Sequence, residues 1–392
     1  MTPYLLFFGI SFILFIQLEN HSIKNNDFFI NLTLLSIITA FIGFRYSVGG
    51  DWSNYINNFE SSYRYHDYIS LFNTNEILWS FLNVFSAHIG LGILGVNITS
   101  AFIVSYSILK LTRKISTNYF LVLFAIPYYI NIVAMGYTRQ SIAAAFLILS
   151  LCVDGKYKDL KIFLLLLVGL MFHNSIVFLA FLPFLYRPLI TWGKITLIIL
   201  GLFCIYYLYY RFAFNYYFSY FYDQKVISNG AIFRLFFNIL ASGIYIIFSY
   251  KFYKEKDFFI WMFLSIINLF FLICIIFKIL PSGMIDRILV YSSIIHIVAY
   301  VKIYEICKEE IKNLFITSIS FLFFLYSSFW FVFANNSQSW IPYQIKLYSE
   351  ESWTKHRVYK FNNCTHCFNS ELDKIKNKEY LFNKINNFKF EE

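Results

Sequence analysis

Apolar runs long enough to cross a bilayer, about 17 to 25 residues, recur along most of this chain. Nothing else constrains its fold so strongly. Hydrocarbon offers a backbone no water to bond, so a lipid-exposed segment must satisfy its own N–H and C=O groups. A helix does this within one continuous apolar run, whereas a membrane barrel needs apolar and polar residues in alternation. Here the runs are continuous, and candidate spans are 4–18, 28–44, 91–109, 119–136, 139–153, 160–172, 175–186, 194–210, 232–250, 258–277, 285–303 and 313–334. The expected fold is all-α: a polytopic integral membrane protein with about 11–12 transmembrane helices.

Charge follows the same logic. Only 14% of the 392 residues are charged, against roughly 25% in a soluble domain. A net charge of +10 would suggest nucleic acid in a soluble protein. Here the lysines and arginines sit between apolar runs and in the C-terminal tail, where they act as topology signals and head-group contacts. No nucleic-acid partner is expected. The first run, Tyr4 to Leu18, lacks a basic leader and a small-residue cleavage site and reads as a retained helix. Cys152, Cys204 and Cys274 lie in apolar runs as small hydrophobes, and Cys307 lies in a charged connection. Cys364 and Cys367 form a lone "CTHC", with no second pair for zinc and no βαβ context for redox work. A local disulfide or idle thiols is the plainer reading.

The basic residues fall in alternate connections: Lys110, Arg113 and Lys114; Lys156, Lys158 and Lys161; Arg187 and Lys194; Lys251, Lys254 and Lys256; Lys302, Lys308 and Lys312. The positive-inside rule assigns these to the cytoplasm. Residues 45–90, 136–139, 172–175, 211–231, 278–286 and the tail from Asn335 then face outward. The tail carries nine Lys and Arg after residue 340, but long segments translocate largely regardless of charge. The division expected is a membrane domain over 1–334, with outer loops 45–90 and 211–231, and a polar tail over 335–392. Residues 75–90 read as an interfacial amphipathic helix with Leu78, Phe81, Leu82 and Phe85 on one face.

This topology gathers the misplaced polar residues at the outer face: Arg45, Asp51, Arg139, His173, Arg211, Asp223, Arg234, Asp286 and Arg287. Four stretches hold most of them: "FRYSVGGDWSNYINNFE", "GYTRQSIAAAFLILSL", "GLMFHNSIVFLAFLP" and "MIDRILVY". Arginine at membrane depth is costly and is retained for a partner. Its planar fork suits phosphate oxygens, and a helix N-terminus adds backbone donors. Arg139 and Arg287 are expected at such N-termini and Arg45 at a helix C-terminal end. The plainer role for each is pairing with Asp51, Glu76 or Asp286. A histidine titrates near 6.5 and suits proton abstraction from a hydroxyl, so His173 and Asp51 are the two candidate bases. His296, inside a helix, reads as structural. Gly49 and Gly50 allow a tight turn that presents Asp51.

At these residues the chain resembles the EpsG family, the Wzy-like polymerases of bacterial exopolysaccharides, capsules and O-antigens. The motifs occur in order: "RYSVGGDWSNY", Glu76 in "NEILWSFLN", "YTRQSIAAAF", "FHNSIVFL", "DRILVY" and "WIPYQ". They run from about residue 40 to residue 344. The sequence departs from the pattern at Gly49–Gly50–Asp51, where a small polar residue usually precedes the aspartate, and in the tail beyond residue 345. The resemblance implies a GT-C-like membrane fold and inverting, metal-independent glycosyl transfer at the outer face of the bacterial cytoplasmic membrane. A growing glycan on undecaprenyl pyrophosphate would pass to a hydroxyl of an incoming lipid-linked repeat unit, with no cofactor. Undecaprenyl-pyrophosphate-linked oligosaccharides and the bilayer are the partners, and a chain-length regulator is a further one.

In that reading His173 is the base, with Asp51 as runner-up. Arg45, Arg139 and Arg287 hold pyrophosphate, and Arg234 is a further candidate. Trp52, Tyr55, Tyr137 and Trp340 are candidates to stack on sugars. Glu76, Gln140, Asn174, Asp286, Tyr291 and Tyr343 are candidates to contact glycan or support the arginines. Alternatives are a ligase or polyprenyl-phosphate sugar transferase, with Asp51, Glu60 and Asp67 as its acidic residues, a lipid-linked-oligosaccharide flippase or exporter, and a membrane O-acyltransferase.

Overall fold

The structure, a computed structural model, describes residues 2–20, 27–52, 54–56, 59, 76–116, 121–155, 157–180, 182, 228, 231–334, 337, 339–341 and 343–345. The sequence expectations for Glu60, Asp67, Arg187, Lys194, Cys204, Arg211, Asp223, the span 194–210, the Cys364–Cys367 pair and the tail beyond 345 lie outside these residues.

Among the described residues the apolar runs fold as helices. In chain order they are α1 (Thr2–Asn20), α2 (Asp27–Gly43), α3 (Ile77–His88), α4 (Gly92–Ile115), α5 (Leu121–Ala125), α6 (Thr138–Leu151), α7 (Lys158–Phe172), α8 (Ala231–Ile247), α9 (Phe258–Ile276), α10 (Ser282–Ser292), α11 (Ile294–Ile306) and α12 (Glu309–Phe333). Among the described residues α4, α9 and α12 are each long and apolar enough to cross a bilayer, and the bent pair α10–α11 makes a fourth. The protein is thus an all-α integral membrane protein. Among the described residues the strand content is one antiparallel pair, β1 (Arg45–Tyr46) with β2 (Gln344–Ile345), in the register Arg45↔Ile345 and Tyr46↔Gln344.

Four local expectations are corrected. The span expected over 119–136 is α5 followed by a π-helix, Ile126–Ala134, buried throughout. That expected over 285–303 is bent by 41° between α10 and α11. The run after His173 opens as a 3-10 helix, Asn174–Leu179. The apolar face assigned to 75–90 is divided: Phe81 and Phe85 are exposed, with Ile77, while Leu82 is buried beside Trp79. The exposed ridge suits lipid and the buried side packs on α4 and α7.

The chain runs back and forth between two chemically distinct ends. At one end Lys114 Nζ donates to the Leu151 carbonyl at 3.0 Å and pairs with Asp154 at 3.2 Å, while Lys158 reaches Asp154 at 3.8 Å. At the same ends of α8 and α11, Lys302 pairs with Glu255 and, at 3.3 Å, with Asp257. From this lysine-rich end α7 returns to His173. At the opposite end α6 begins beside Arg139, α8 beside Arg234, and α10 carries Arg287.

The packed unit continues past the boundary expected at 334, at least to Ile345, the last described residue. Trp340 is wholly buried; its Nε1 donates to the Asn131 carbonyl at 3.0 Å, and its own carbonyl accepts from Tyr4 Oη at 2.9 Å. Tyr343 Oη donates to the Phe41 carbonyl at 2.5 Å.

Candidate active site

The loop after α2 is pinned before it reaches the site. Arg45 is 1% exposed, and its guanidinium donates to the Ile42 carbonyl and the Thr138 hydroxyl, each at 2.7 Å. Gly49 adopts φ +113°, donates to the Ser339 carbonyl at 2.8 Å, and lies so close to the Met135 carbonyl that a Cβ would collide with it. Both facts require glycine there. Asp51 N then meets the Gly136 carbonyl at 3.4 Å, so the turn delivers Asp51 and Tyr55 next to the start of α6.

Glu76, the residue before α3, is the centre of the polar cluster. Its Oε1 lies 2.8 Å from His173 Nδ1, and its Oε2 accepts from Arg139 Nη1 at 2.9 Å. Both Glu76 and His173 are buried. Burial pushes the Glu76 carboxyl up, but the His173 hydrogen bond and the charges of His173 and Arg139 outweigh it and hold the group at about 2. An ionised carboxylate only accepts hydrogen bonds, so the shared proton belongs to His173 Nδ1. Burial also lowers the His173 imidazole below its ordinary value, aided by Arg139 and Arg287 and opposed by Glu76. Burial thus favours the neutral ring, and with its proton on Nδ1 toward Glu76 the lone pair lies on Nε2.

Asp51 borders this pair. Burial raises its carboxyl more than Arg139, Arg287 and His173 lower it. Tyr55 Oη donates to Asp51 Oδ2 at 3.4 Å, and the Tyr55 ring lies 5.9 Å from the Arg139 guanidinium. Trp52 is half-buried and packs edge-on against Tyr46 at 5.5 Å. Asp51, Tyr55, Glu76, Arg139, His173 and Arg287 thus come together from five separate stretches of chain.

A second cluster sits alongside. Arg234 pairs with Asp286 at 2.8 Å, donates to Tyr137 Oη at 2.9 Å and covers the Tyr137 ring at 5.1 Å. Asp286 Oδ2 also accepts from Ser228 Oγ at 2.9 Å. Gln140 Nε2 donates to the Arg287 carbonyl, and Tyr291 Oη bonds Ser175 Oγ at 2.8 Å, which locks α10 to α6 and to the 3-10 turn that Asn174 opens. Arg287 is the sixth residue of α10, one turn beyond the N-terminal position expected for it. Trp340 and Tyr343, candidates for glycan contact, are instead packed into the bundle: Trp340 has no exposed surface, and Tyr343 stacks on Phe41 at 5.1 Å. Arg45, a candidate phosphate ligand, spends its described bonds on the protein. Sequence reasoning missed Thr138 and Ser175, the hydroxyl partners of Arg45 and Tyr291, although each directly neighbours a motif residue. Among the described residues no group of three His, Cys, Asp or Glu side chains is placed to hold a metal ion.

The arrangement offers a neutral imidazole, a flanking carboxylate and guanidinium groups at one end of a helical bundle. That set can deprotonate a hydroxyl and stabilise a departing anion. Neither a curated protein nor a solved structure matches the chain. The EpsG family profile matches residues 27–345, a range that takes in α2, the whole cluster and β2. The chain belongs to the EpsG family, membrane proteins of polysaccharide biosynthesis.

Proposed function

We propose that this protein is a surface-polysaccharide polymerase that joins undecaprenyl-pyrophosphate-linked oligosaccharide repeat units at the outer face of the bacterial cytoplasmic membrane. The observation that carries this reading is the placing of His173, Arg139, Arg287 and Asp51 together at the end of the bundle opposite the ion pairs of Lys114, Lys158 and Lys302. Positive connections are retained in the cytoplasm, which supports a cluster that faces outward.

In the proposed reaction His173 Nε2 takes the proton from the acceptor hydroxyl as its oxygen attacks the anomeric carbon of the growing glycan. The anomeric C–O bond breaks on the opposite face, and its electron pair leaves with undecaprenyl pyrophosphate. Configuration at that carbon inverts. Arg139 and Arg287 meet the charge that develops on the leaving oxygens, a task that needs no resident metal. Asp51 ligates a sugar hydroxyl or balances Arg139 and Arg287, and is the second candidate base. Arg234, already neutralised by Asp286, serves as a support for Tyr137 and α10. Trp52, half-buried on the loop beside the cluster, is a candidate to line a glycan path, whereas Tyr55 is buried against Trp79 and supports Asp51 and Arg139.

Replacing His173 or Arg139 by alanine tests the proposal. In cells carrying either variant at wild-type membrane levels, gel analysis of surface glycan should show single repeats and no ladder. A normal ladder in His173→Ala would overturn the base assignment. A wild-type protein that adds one sugar and stops would instead be a polyprenyl-linked sugar transferase.

A further inference from the structure

Glu76 divides its two oxygens between the two kinds of group the proposed reaction needs. One oxygen holds His173 Nδ1 at 2.8 Å and the other holds Arg139 Nη1 at 2.9 Å. We propose that Glu76 is the positioning residue of the reaction: it fixes His173 in the tautomer whose Nε2 is free to take a proton, and holds Arg139 in register with that base. This inference rests on the glycosyl-transfer reading and adds to it a residue that itself touches no reacting atom.

The geometry favours this over a purely structural ion pair for three reasons. Glu76 sits just before α3 with extended backbone, φ −64° and ψ 138°, and no side-chain cap is formed there, so at the helix end its carboxylate meets only its own backbone N–H. Its partners come from α6 and from the end of α7, so one carboxylate ties three elements at a single point. Its side chain is 8% exposed, which keeps water from competing for either oxygen. The neutral imidazole left to itself divides its proton between the two ring nitrogens. An acceptor-only carboxylate on Nδ1 removes that choice. The charged groups around His173 are Glu76 before α3, Arg139 on α6, Arg287 on α10 and Asp51 from the loop after α2.

Glu76→Gln separates the roles. An amide can present its N–H to Nδ1 and so favour the tautomer with the proton on Nε2, where the base should be empty. In membranes supplied with a lipid-linked repeat unit, kcat should fall about a hundredfold or more, the lower range of what a positioned base contributes. KM for the lipid-linked substrate should not rise, because Arg139 loses a competing carboxylate. What activity remains should have its acid limb at lower pH, since removing the adjacent negative charge makes imidazolium harder to form. Glu76→Asp keeps the charge on a shorter arm and should retain more activity than Glu76→Gln, so it serves if the amide variant fails to accumulate. The inference is overturned if Glu76→Gln polymerises with wild-type kcat and an unmoved acid limb, or Glu76→Asp in its place with wild-type kcat, while His173→Ala is inactive. If His173→Ala itself polymerises, the error lies in the base assignment and not in Glu76.

Discussion

At the scale of single residues, the glycines show what the site is built on. Gly136 precedes Tyr137 and faces the six-membered ring of the Trp340 indole so closely that a Cβ would strike it. Gly136→Ala should therefore cost about 1–3 kcal/mol, as overpacking of a filled core does. In a Trp340→Phe background, where the smaller ring withdraws from that space, the same alanine should cost less. Thermal unfolding of the purified protein in detergent reads both values; an equal cost in the two backgrounds would mean that the indole is not what demands glycine. Such demands are only half legible in the sequence. The polar residues announced themselves against an apolar background, and Arg139, His173, Asp51 and Glu76 do meet. What the sequence did not disclose is which arginine turns inward. Arg45 and Arg139 each sit next to a helix end and look alike as letters, yet Arg45 donates to Ile42 and Thr138 while Arg139 pairs with Glu76.

At the scale of helices, the polar residues buried between α8, α9 and α10 act as a clasp. Asn238 Nδ2 donates to Asn268 Oδ1 at 3.2 Å and to Ser292 Oγ at 3.1 Å. Ser292 Oγ donates to Asn268 Oδ1 at 2.8 Å, and Asn268 Nδ2 donates to Ser242 Oγ at 3.1 Å. Within a membrane protein such interhelical bonds average about 0.6 kcal/mol each, so Asn268→Leu, which removes three, should cost on the order of 2 kcal/mol. Asn83→Leu is the matched control, because Asn83 donates at 2.8 Å to the Trp79 carbonyl of its own helix. A Tm that falls no further for Asn268→Leu than for Asn83→Leu would remove the clasp from consideration. Hydrophobic pattern could not have found it. In lipid, the face that packs and the face that meets acyl chains are both apolar, so periodicity loses the contrast it has in water. The existence of each helix is legible, but its rotation is not. The same loss of contrast hides the π-wound stretch 126–134 and the bend at Ser293, since neither changes the hydropathy of the run.

At the scale of the whole molecule, the end of the family region closes onto its beginning. Residues 339–345 return to the loop after α2: Ser339 receives the Gly49 N–H, β2 pairs with β1, Tyr343 bonds the end of α2, and Trp340 is held by Tyr4 of α1 and Asn131 of the π-helix. The loop that carries Asp51 is thus braced from both sides by segments about 300 residues apart in sequence, a long-range closure that no local pattern encodes. Composition suggested a boundary at residue 334, because there the apolar run ends. Packing carries it at least to Ile345, the last described residue, because one buried tryptophan and a short strand outweigh the polarity of their neighbours. The two boundaries make opposite predictions for shortened chains. A chain ending at Ala334 would leave an indole-sized void against Gly50, Gly136 and Trp330 and would free the 47–51 turn, and truncating a buried tryptophan alone costs about 3–5 kcal/mol. It should accumulate poorly in membranes and make no polymer. A chain ending at Ile345 keeps every one of these contacts and should match the full-length protein in membrane level and in glycan ladder. Immunoblots of membranes together with glycan gels decide between them: loss of ladder in the longer chain at normal membrane level would show that residues beyond 345 take part in polymerisation, and a ladder from the shorter chain would show that the closure is dispensable.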